Sequence, residues 1–327
     1  EILIGLVGSE MCIRDSLKAA KEDGTLKKKK EKDYSAVFGE KLINMAEKNE
    51  KIVAITAAMK DGTGLNEFSK KFPNRFFDVG IAEQHAVTFA AGLAKEGMVP
   101  FVPIYSSFYQ RAYDQVIHDV CMQNLPVIMC VDRSGIVGAD GETHQGIFDM
   151  SFFKIVPNIS IMSPKNFKEL QDMMEFSVDL KRPVVIRYPR GTEGNEKFEN
   201  QEKIILGEPE ILKDGNDVTI IAIGNQVDKA IKISKELKKQ NIMAEVINTR
   251  FLKPLNEEKI IKSISKTRFV VTIEDSTIIG GLSSTVNEMI IKNKLENIKL
   301  KNFAYPDVFV EHGKVCLLYT SDAADEL

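Results

Sequence analysis

The chain has 327 residues, with Lys+Arg 44 against Asp+Glu 47 and a formal net charge of −3, a near-balance that excludes a nucleic-acid binder working through a general basic field. At 43% hydrophobic and 28% charged residues its composition is globular, which excludes wholesale disorder. No apolar run approaches the ~20 residues of a membrane-spanning helix, and Cys usage without a CxxC pair suits the cytoplasm rather than a disulfide framework or zinc knuckle.

The ends differ in character from the middle. Residues 1–16 open on Glu1, run through an apolar stretch and carry Cys12, but lack the basic leader and small-residue cleavage site of an export signal. This segment and residues 314–327, which contain Cys316, read as non-native tails of translated adapter sequence. A genuine N-terminal strand and C-terminal tail is the rival reading. Residues 17–33, with Lys27 to Lys30, read as a solvated linker, so 1–33 falls outside the expected fold.

From Tyr34 the pattern becomes periodic. Val37, Leu42, Ile43 and Ala46 share a helical face, and Ile52 to Ile55 is a short buried strand. Phe76 to Val79 is the next strand, Gly80 to Lys95 a helix, Val99 to Ile104 a strand, Tyr113 to Asn124 a helix, and Val127 to Val131 a strand. Pro183 to Tyr188 supplies the last strand of this unit, residues 34–192, and the polar run 193–206 is an inter-domain linker. A second, smaller unit over 207–313 alternates strands (Val218 to Ile223, Ala244 to Asn248, Phe269 to Ile273) with helices (Val227 to Lys239, Glu257 to Ser265, Ser283 to Lys292). This alternation predicts an α/β protein of two doubly wound, mostly parallel-sheet domains.

Chemistry-bearing residues gather where the strands of the first unit end, the usual address of a ligand site in open α/β sheets. After Asp78-Val79-Gly80 come Ile81, Glu83 and His85; Glu83 alone would serve equally to favour the positive end of a helix dipole. After the Val99 strand come Tyr105, Ser106, Ser107, Phe108 and Arg111, which suit a flat ring and a polar substrate but would also serve as a capped helix start. The Val127 strand leads into Asp132-Arg133 and a glycine-rich loop with Asp140, Thr143 and His144, which is neither a Walker loop nor a dinucleotide fingerprint. Arg187-Tyr188-Pro189-Arg190-Gly191 closes the set, and Arg133 and Arg190 are candidate phosphate clamps because guanidinium binds phosphate oxygens in a bidentate way. Metal binding by His118, Cys121, Cys130 and His144 is a poor rival, since a tetrahedral site needs four convergent ligands; no metal site is expected on this chain.

The run Gly80 to Ala94 resembles the pyrimidine-binding domain of thiamine-diphosphate enzymes. Together with Tyr105-Ser106-Ser107-Phe108, Asp132-Arg133, Gly138 to Gly141, Thr143 to Gly146 and Arg187 to Gly191, residues 34–313 resemble the middle and C-terminal domains of the 1-deoxy-D-xylulose-5-phosphate synthase family. The resemblance implies thiamine diphosphate and Mg2+ as cofactors, and pyruvate and D-glyceraldehyde 3-phosphate as substrates. It further implies a cytoplasmic homodimer that acts as a transferase in isoprenoid, thiamine and pyridoxal precursor synthesis. It assigns Glu83 and His144 as catalytic, and Glu83, Phe108 and Ile81 to the cofactor. Tyr105, Ser106, Arg133, Asp140, His144 and Arg190 go to the substrate. Glu83 would hydrogen-bond the pyrimidine, Phe108 would stack on it, and Tyr105, Arg133 and Arg190 would hold the acceptor phosphate. Arg111 would orient neighbouring groups, while Glu274 and Gly280-Gly281 recur as structural positions.

The family's Gly-Asp-Gly…Asn motif for the metal and diphosphate is absent, with weak echoes at Asp61-Gly62 and Ala139-Asp140-Gly141. The chain is therefore expected to supply one wall of the site and to be inactive alone. A stand-alone β subunit of a 2-oxo-acid dehydrogenase or a split transketolase subunit is the enzymatic alternative. A dimerisation or regulatory module that has lost catalysis is the non-enzymatic one.

Overall fold

A computed structural model describes residues 32–198 and 202–313. The expected tails therefore lie outside the described residues, apart from Lys32 and Asp33. The first unit begins with α1 (Tyr34–Lys48), whose start is fixed by the Asp33 carboxylate accepting from the Ala36 amide at 2.8 Å. There follow β1 (Ile52–Thr56), α2 (Asn66–Lys71), β2 (Phe76–Asp78), α3 (Glu83–Lys95), β3 (Val99–Tyr105) and β4 (Ile128–Ser134). After these come α4 (Asp149–Lys154), β5 (Ser160–Met162), α5 (Phe167–Leu180) and β6 (Val184–Pro189). The second unit contains β7 (Glu210–Lys213), β8 (Val218–Ala222), α6 (Gln226–Lys239), β9 (Ala244–Asn248), β10 (Phe251–Lys253), α7 (Glu257–Thr267), β11 (Phe269–Thr277), α8 (Leu282–Lys292) and β12 (Lys299–Tyr305).

The strands form a seven-stranded sheet, order β10-β5-β6-β4-β3-β1-β2, and a five-stranded sheet, order β12-β11-β8-β9-β7. Among the strands of the described residues, only β10 against β5 and β7 against β9 run antiparallel. Helices cover both faces, which is why β1, β8 and β9 are buried at every position.

The helix expected over Tyr113 to Asn124 is instead irregular: 3-10 over Ser106–Ala112, a helical turn at Tyr113–Gln115, then a π-helical stretch at Val116–Cys121. Its apolar spacing does not separate these geometries, because each buries Val116 and Val120.

The two units are not beads on a linker. The β10 segment leaves the second unit and completes the edge of the first sheet, pairing Phe251 with Met162. One apolar cluster contains Ile55, Val102 and Val131 of the first unit together with Ile221, Ile247 and Leu282 of the second. Beside it lies a buried ionic cluster. Lys165 Nζ is 2.9 Å from Glu169 and 2.7 Å from Glu210, while Arg250 is 2.9 Å from each of the same carboxylates. Asn248 Nδ2 donates to both, at 3.1 Å and 3.2 Å. Two cations thus match two anions across the junction, which offsets the large cost of taking charge out of water only while all four remain. Glu210→Ala leaves Lys165 and Arg250 sharing one carboxylate, and we expect a loss of ~3–5 kcal/mol in unfolding free energy by urea denaturation. A loss under ~1 kcal/mol would mean that the cluster contributes little.

Candidate active site

All four predicted clusters lie at or just beyond the carboxyl ends of the parallel strands β2, β3, β4 and β6 of the seven-stranded sheet. After β2, Asp78 Oδ1 accepts from the Gly80 amide at 3.1 Å and from the Ala58 amide at 2.8 Å, closing a turn in which Gly80 has φ +71. That turn delays the helix expected from Gly80, so that α3 starts at Glu83. Glu83 is 1% exposed, in the first helical turn, where the unpaired amides favour a carboxylate. Its carboxylate accepts from Arg111 Nη1 at 3.2 Å. Ile81 is 79% exposed, and His85 is exposed against Phe89.

Arg111 is the first link of a continuous chain of contacts. Its guanidinium lies 5.3 Å from the centre of the Phe108 ring. Phe108 meets His144 edge-on at 5.1 Å and Tyr105 at 5.8 Å. The Arg133 guanidinium lies over Tyr105 at 3.6 Å, close enough for a cation–π contact. Arg133 Nε is 3.3 Å from Asp140, whose other oxygen accepts from Arg190. His144 Nδ1 shares a 3.0 Å hydrogen bond with the Thr143 hydroxyl, which leaves Nε2 for another partner.

Local backbone geometry aims these groups. Arg133 is in the left-handed region at φ +60, where the register between β4 and β6 breaks between Val131 and Ser134. A bulge of this kind re-aims a side chain at a strand end. Gly135, at φ +75, exchanges two backbone hydrogen bonds with Gly146 and closes the loop between them. A Cβ on Gly135 would fall 2.4 Å from Asp275 Oδ2, so only glycine fits.

Charge is divided between a buried and an open layer. Arg190 is 45% exposed, and with Arg133 it places two cations around the single Asp140 carboxylate. Arg133 is 15% exposed, and its Nε and Nη1 are buried without a hydrogen bond. Ser106, assigned to the substrate from sequence, is buried and donates to Asp149 at 3.1 Å. Asp149 in turn accepts from Arg187 Nε at 3.1 Å, and Arg187 Nη1 donates to Asp275 at 2.8 Å. Sequence reading overlooked Asp149 and Asp275. For Asp149 the signal is an acid inside the otherwise apolar stretch Ile147 to Met150; Asp275 follows the apolar start of β11.

The arrangement offers a buried carboxylate, an aromatic face and a cationic end. No group of three or more His, Cys, Asp or Glu among the described residues is placed to hold a metal ion. A buried carboxylate beside an aromatic face is chemistry that suits the pyrimidine end of a thiamine cofactor.

Comparison with known proteins places this geometry. The family described as transketolase, pyrimidine binding domain, matches residues 30–194, and transketolase, C-terminal domain, matches residues 207–321. A 1-deoxy-D-xylulose-5-phosphate synthase of Halothermothrix orenii is 51% identical over 301 residues, which are 91% of this chain and 47% of that protein. The Clostridium tetani protein of the same name is 47% identical over 303 residues, 93% of this chain and 49% of its own length. The chain thus spans about half the length of the curated relatives it matches. Among solved structures, a split-gene transketolase chain from an inactive β4 tetramer has a TM-score of 0.77 at 30% identity, with 90% of this chain and 97% of that one covered. Campylobacter jejuni transketolase, at 18% identity and TM-score 0.71 over 96% of this chain and 48% of its own, shares the fold.

The site also carries a pH signature. Asp132 is fully buried, and burial pushes its carboxyl up to about 7 against the pull of the Ser35 hydroxyl, which donates to it at 2.7 Å, and of Arg133. An unfolded aspartate loses its proton near ~4, so between these values the folded state binds more protons and stability falls as pH rises. We expect Asp132→Asn to remove this component. Its stability relative to the wild type then gains on the order of a few kcal/mol between pH ~4 and ~7 in denaturation series. Parallel curves for the two proteins would contradict the assignment.

Proposed function

Since the chain belongs to the transketolase family, we propose that it forms the pyrimidine-side wall of a thiamine-diphosphate enzyme. In this reading the enzyme condenses pyruvate with D-glyceraldehyde 3-phosphate, giving 1-deoxy-D-xylulose 5-phosphate and carbon dioxide. The observation that carries the proposal is the continuous run of contacts from Glu83 through Arg111, Phe108, Tyr105 and Arg133 to Asp140 and Arg190. It joins a ring-binding surface to a cationic surface on one face. The curated relatives named for this activity support the same reading.

The cofactor, when bound, supplies a stabilised carbanion centre for decarboxylating a 2-oxo acid. This chain's residues have separate tasks. Glu83, desolvated and held by Arg111, would hydrogen-bond a pyrimidine ring nitrogen of that group and so govern the ring's protonation. Phe108 offers its face to the ring, and Ile81 adds apolar cover nearby. Arg133, Arg190 and Tyr105 take the phosphate of the acceptor, while Asp140 keeps the two guanidiniums at a fixed spacing despite their repulsion. His144 presents Nε2 toward the reacting carbonyl as donor or proton shuttle, and Ser106 braces the loop from beneath. Mg2+ and the diphosphate belong to the wall that the longer relatives supply in their other half. A homodimer in the cytoplasm completes the proposal; no helix among the described residues is long and apolar enough to cross a membrane.

A second reading has one observation in its favour: the split-gene transketolase chain is covered over 97% of its length. On that reading the chain is a natural stand-alone subunit that meets its other wall on a separate polypeptide. Reading the gene upstream of codon 17 separates the two, since an in-frame Gly-Asp-Gly domain excludes the stand-alone subunit.

In the protein that carries both walls, Glu83→Gln keeps the side chain's shape but not its proton relay. We expect turnover to fall by ~10²–10⁴ in a coupled pyruvate decarboxylation assay. Near-normal turnover would remove Glu83 from the mechanism.

A further inference from the structure

Between β1 and α2 lies the turn that carries Asp61-Gly62. It is held by the Thr63 amide on the Met59 carbonyl at 3.0 Å, the Leu65 amide on the Lys60 carbonyl at 3.0 Å, and the Thr63 hydroxyl on the Met59 carbonyl at 2.8 Å. At its tip is Gly62. A Cβ built there would fall 1.6 Å from the Tyr105 hydroxyl oxygen, 2.8 Å from Tyr105 Cζ and 3.0 Å from Arg133 Nη1. The space that a side chain at position 62 would take is therefore already filled by the ends of Tyr105 and Arg133.

The turn has no room to retreat. Its other side packs backbone to backbone on α1: a Cβ on Gly64 would meet the Ser35 carbonyl at 2.1 Å, and one on Gly39 would meet the Gly64 carbonyl at 2.1 Å. From the front, the Tyr105 amide lies 3.4 Å from Met59 Sδ, in hydrogen-bond contact with the sulfur. Any group added at Gly62 must displace the Tyr105 ring end, the softest of these neighbours. Because the Arg133 guanidinium rests on that ring at 3.6 Å, it moves too.

We propose that Gly62 is a positioning residue for the phosphate end of the site: its missing side chain seats the Tyr105 hydroxyl and, through the ring, the Arg133 guanidinium. The inference rests on the assignment of these two side chains to a phosphate in the proposed function. It adds a fourth segment, from the end of β1, to those that β3, β4 and β6 contribute to the phosphate end. It also makes position 62 a specificity determinant, since any side chain there trades phosphate-binding geometry for bulk.

The test uses this chain labelled with 3-fluorotyrosine, the Tyr105 resonance being identified through Tyr105→Phe, and titrated with glycerol 3-phosphate and with glycerol. In the wild type we expect the Tyr105 resonance to move with glycerol 3-phosphate and not with glycerol. In Gly62→Ala the resonance should be displaced before any ligand is added, and affinity for glycerol 3-phosphate should fall ~10-fold or more, the scale of losing one charge-assisted hydrogen bond. In the Tyr105→Phe background the same Gly62→Ala change should cost little further, because the two act as one unit. If Gly62→Ala lowers the thermal midpoint, Gly62→Ala/Tyr105→Ala should restore it by emptying the contested space; failure to restore it overturns the proposal. A Gly62→Ala chain with the wild-type Tyr105 resonance, or with wild-type affinity for glycerol 3-phosphate, also overturns it. A wild-type chain that answers equally to glycerol and glycerol 3-phosphate would instead overturn the phosphate assignment, whereas a displaced Tyr105 resonance in Gly62→Ala would still support the positioning role.

Discussion

The architecture of the site depends on one buried cation. Arg187, near the end of β6, is almost inaccessible to water and sits between Asp149 and Asp275. Burial alone would pull its proton affinity down, but the two carboxylates more than reverse that and hold it above the ordinary value. Burial also pushes the Asp149 carboxyl up, against the pull of Arg187. Such a cluster is weak evidence for stability, yet it tolerates few alternative geometries, because each misplacement strands a charge without solvent. It ties the loop after β3 through Ser106, the start of α4 through Asp149, and the second sheet through Asp275. Three residues beyond Arg187, Arg190 leaves the sheet edge from a fixed origin.

The contrast between those two arginines runs through the whole site. Arg187 has its charge consumed internally, while Arg190 is half-exposed and shares one carboxylate with Arg133. Asp132 and Arg133 also divide across a peptide bond: the aspartate is buried against Ser35, and the arginine, at a left-handed backbone position, lies over Tyr105 and beside Asp140. The buried set is thus anionic, with Arg187 between two carboxylates and Asp132 beside a hydroxyl, whereas Arg133 and Arg190 leave one cation in excess around Asp140. Such an excess at a strand-end crevice attracts an anion at modest cost, since Asp140 already offsets part of the repulsion between the guanidiniums. The second unit takes part at the rim as well, where Gln145 Nε2 donates to the Glu311 carbonyl at 3.3 Å and Phe148 meets Phe309 edge-on.

Much of this was legible in the sequence. The alternation of buried strands and helices, and the clustering of Glu83, Phe108, Arg133, His144 and Arg190 after strand ends, follow from local patterns and turn residues. Long-range effects were not. The three-residue strands β5 and β10 are too short to show a period, and β10 belongs to the sheet of the other unit. Arg187 and Arg190 share one motif, and composition does not tell which is consumed by Asp149 and Asp275. Asp140, assigned to the substrate, also contacts both Arg133 and Arg190, a pairing that its place in the sequence does not show. The role of Gly62 lay in an absence of atoms, which only the positions of Tyr105 and Arg133 make visible.

The central claim is that one face of this chain presents a pyrimidine-binding end and a phosphate-binding end as a single unit. The most direct measurement is the ratio of kcat/KM for D-glyceraldehyde 3-phosphate to that for unphosphorylated D-glyceraldehyde, in the protein that carries both walls and in its Arg190→Ala variant. The account predicts that this ratio falls by ~10–100-fold in the variant while KM for pyruvate stays within a factor of ~3, as expected for the loss of one charge-assisted contact to phosphate. An unchanged ratio, or an equal loss with both acceptors, would contradict it.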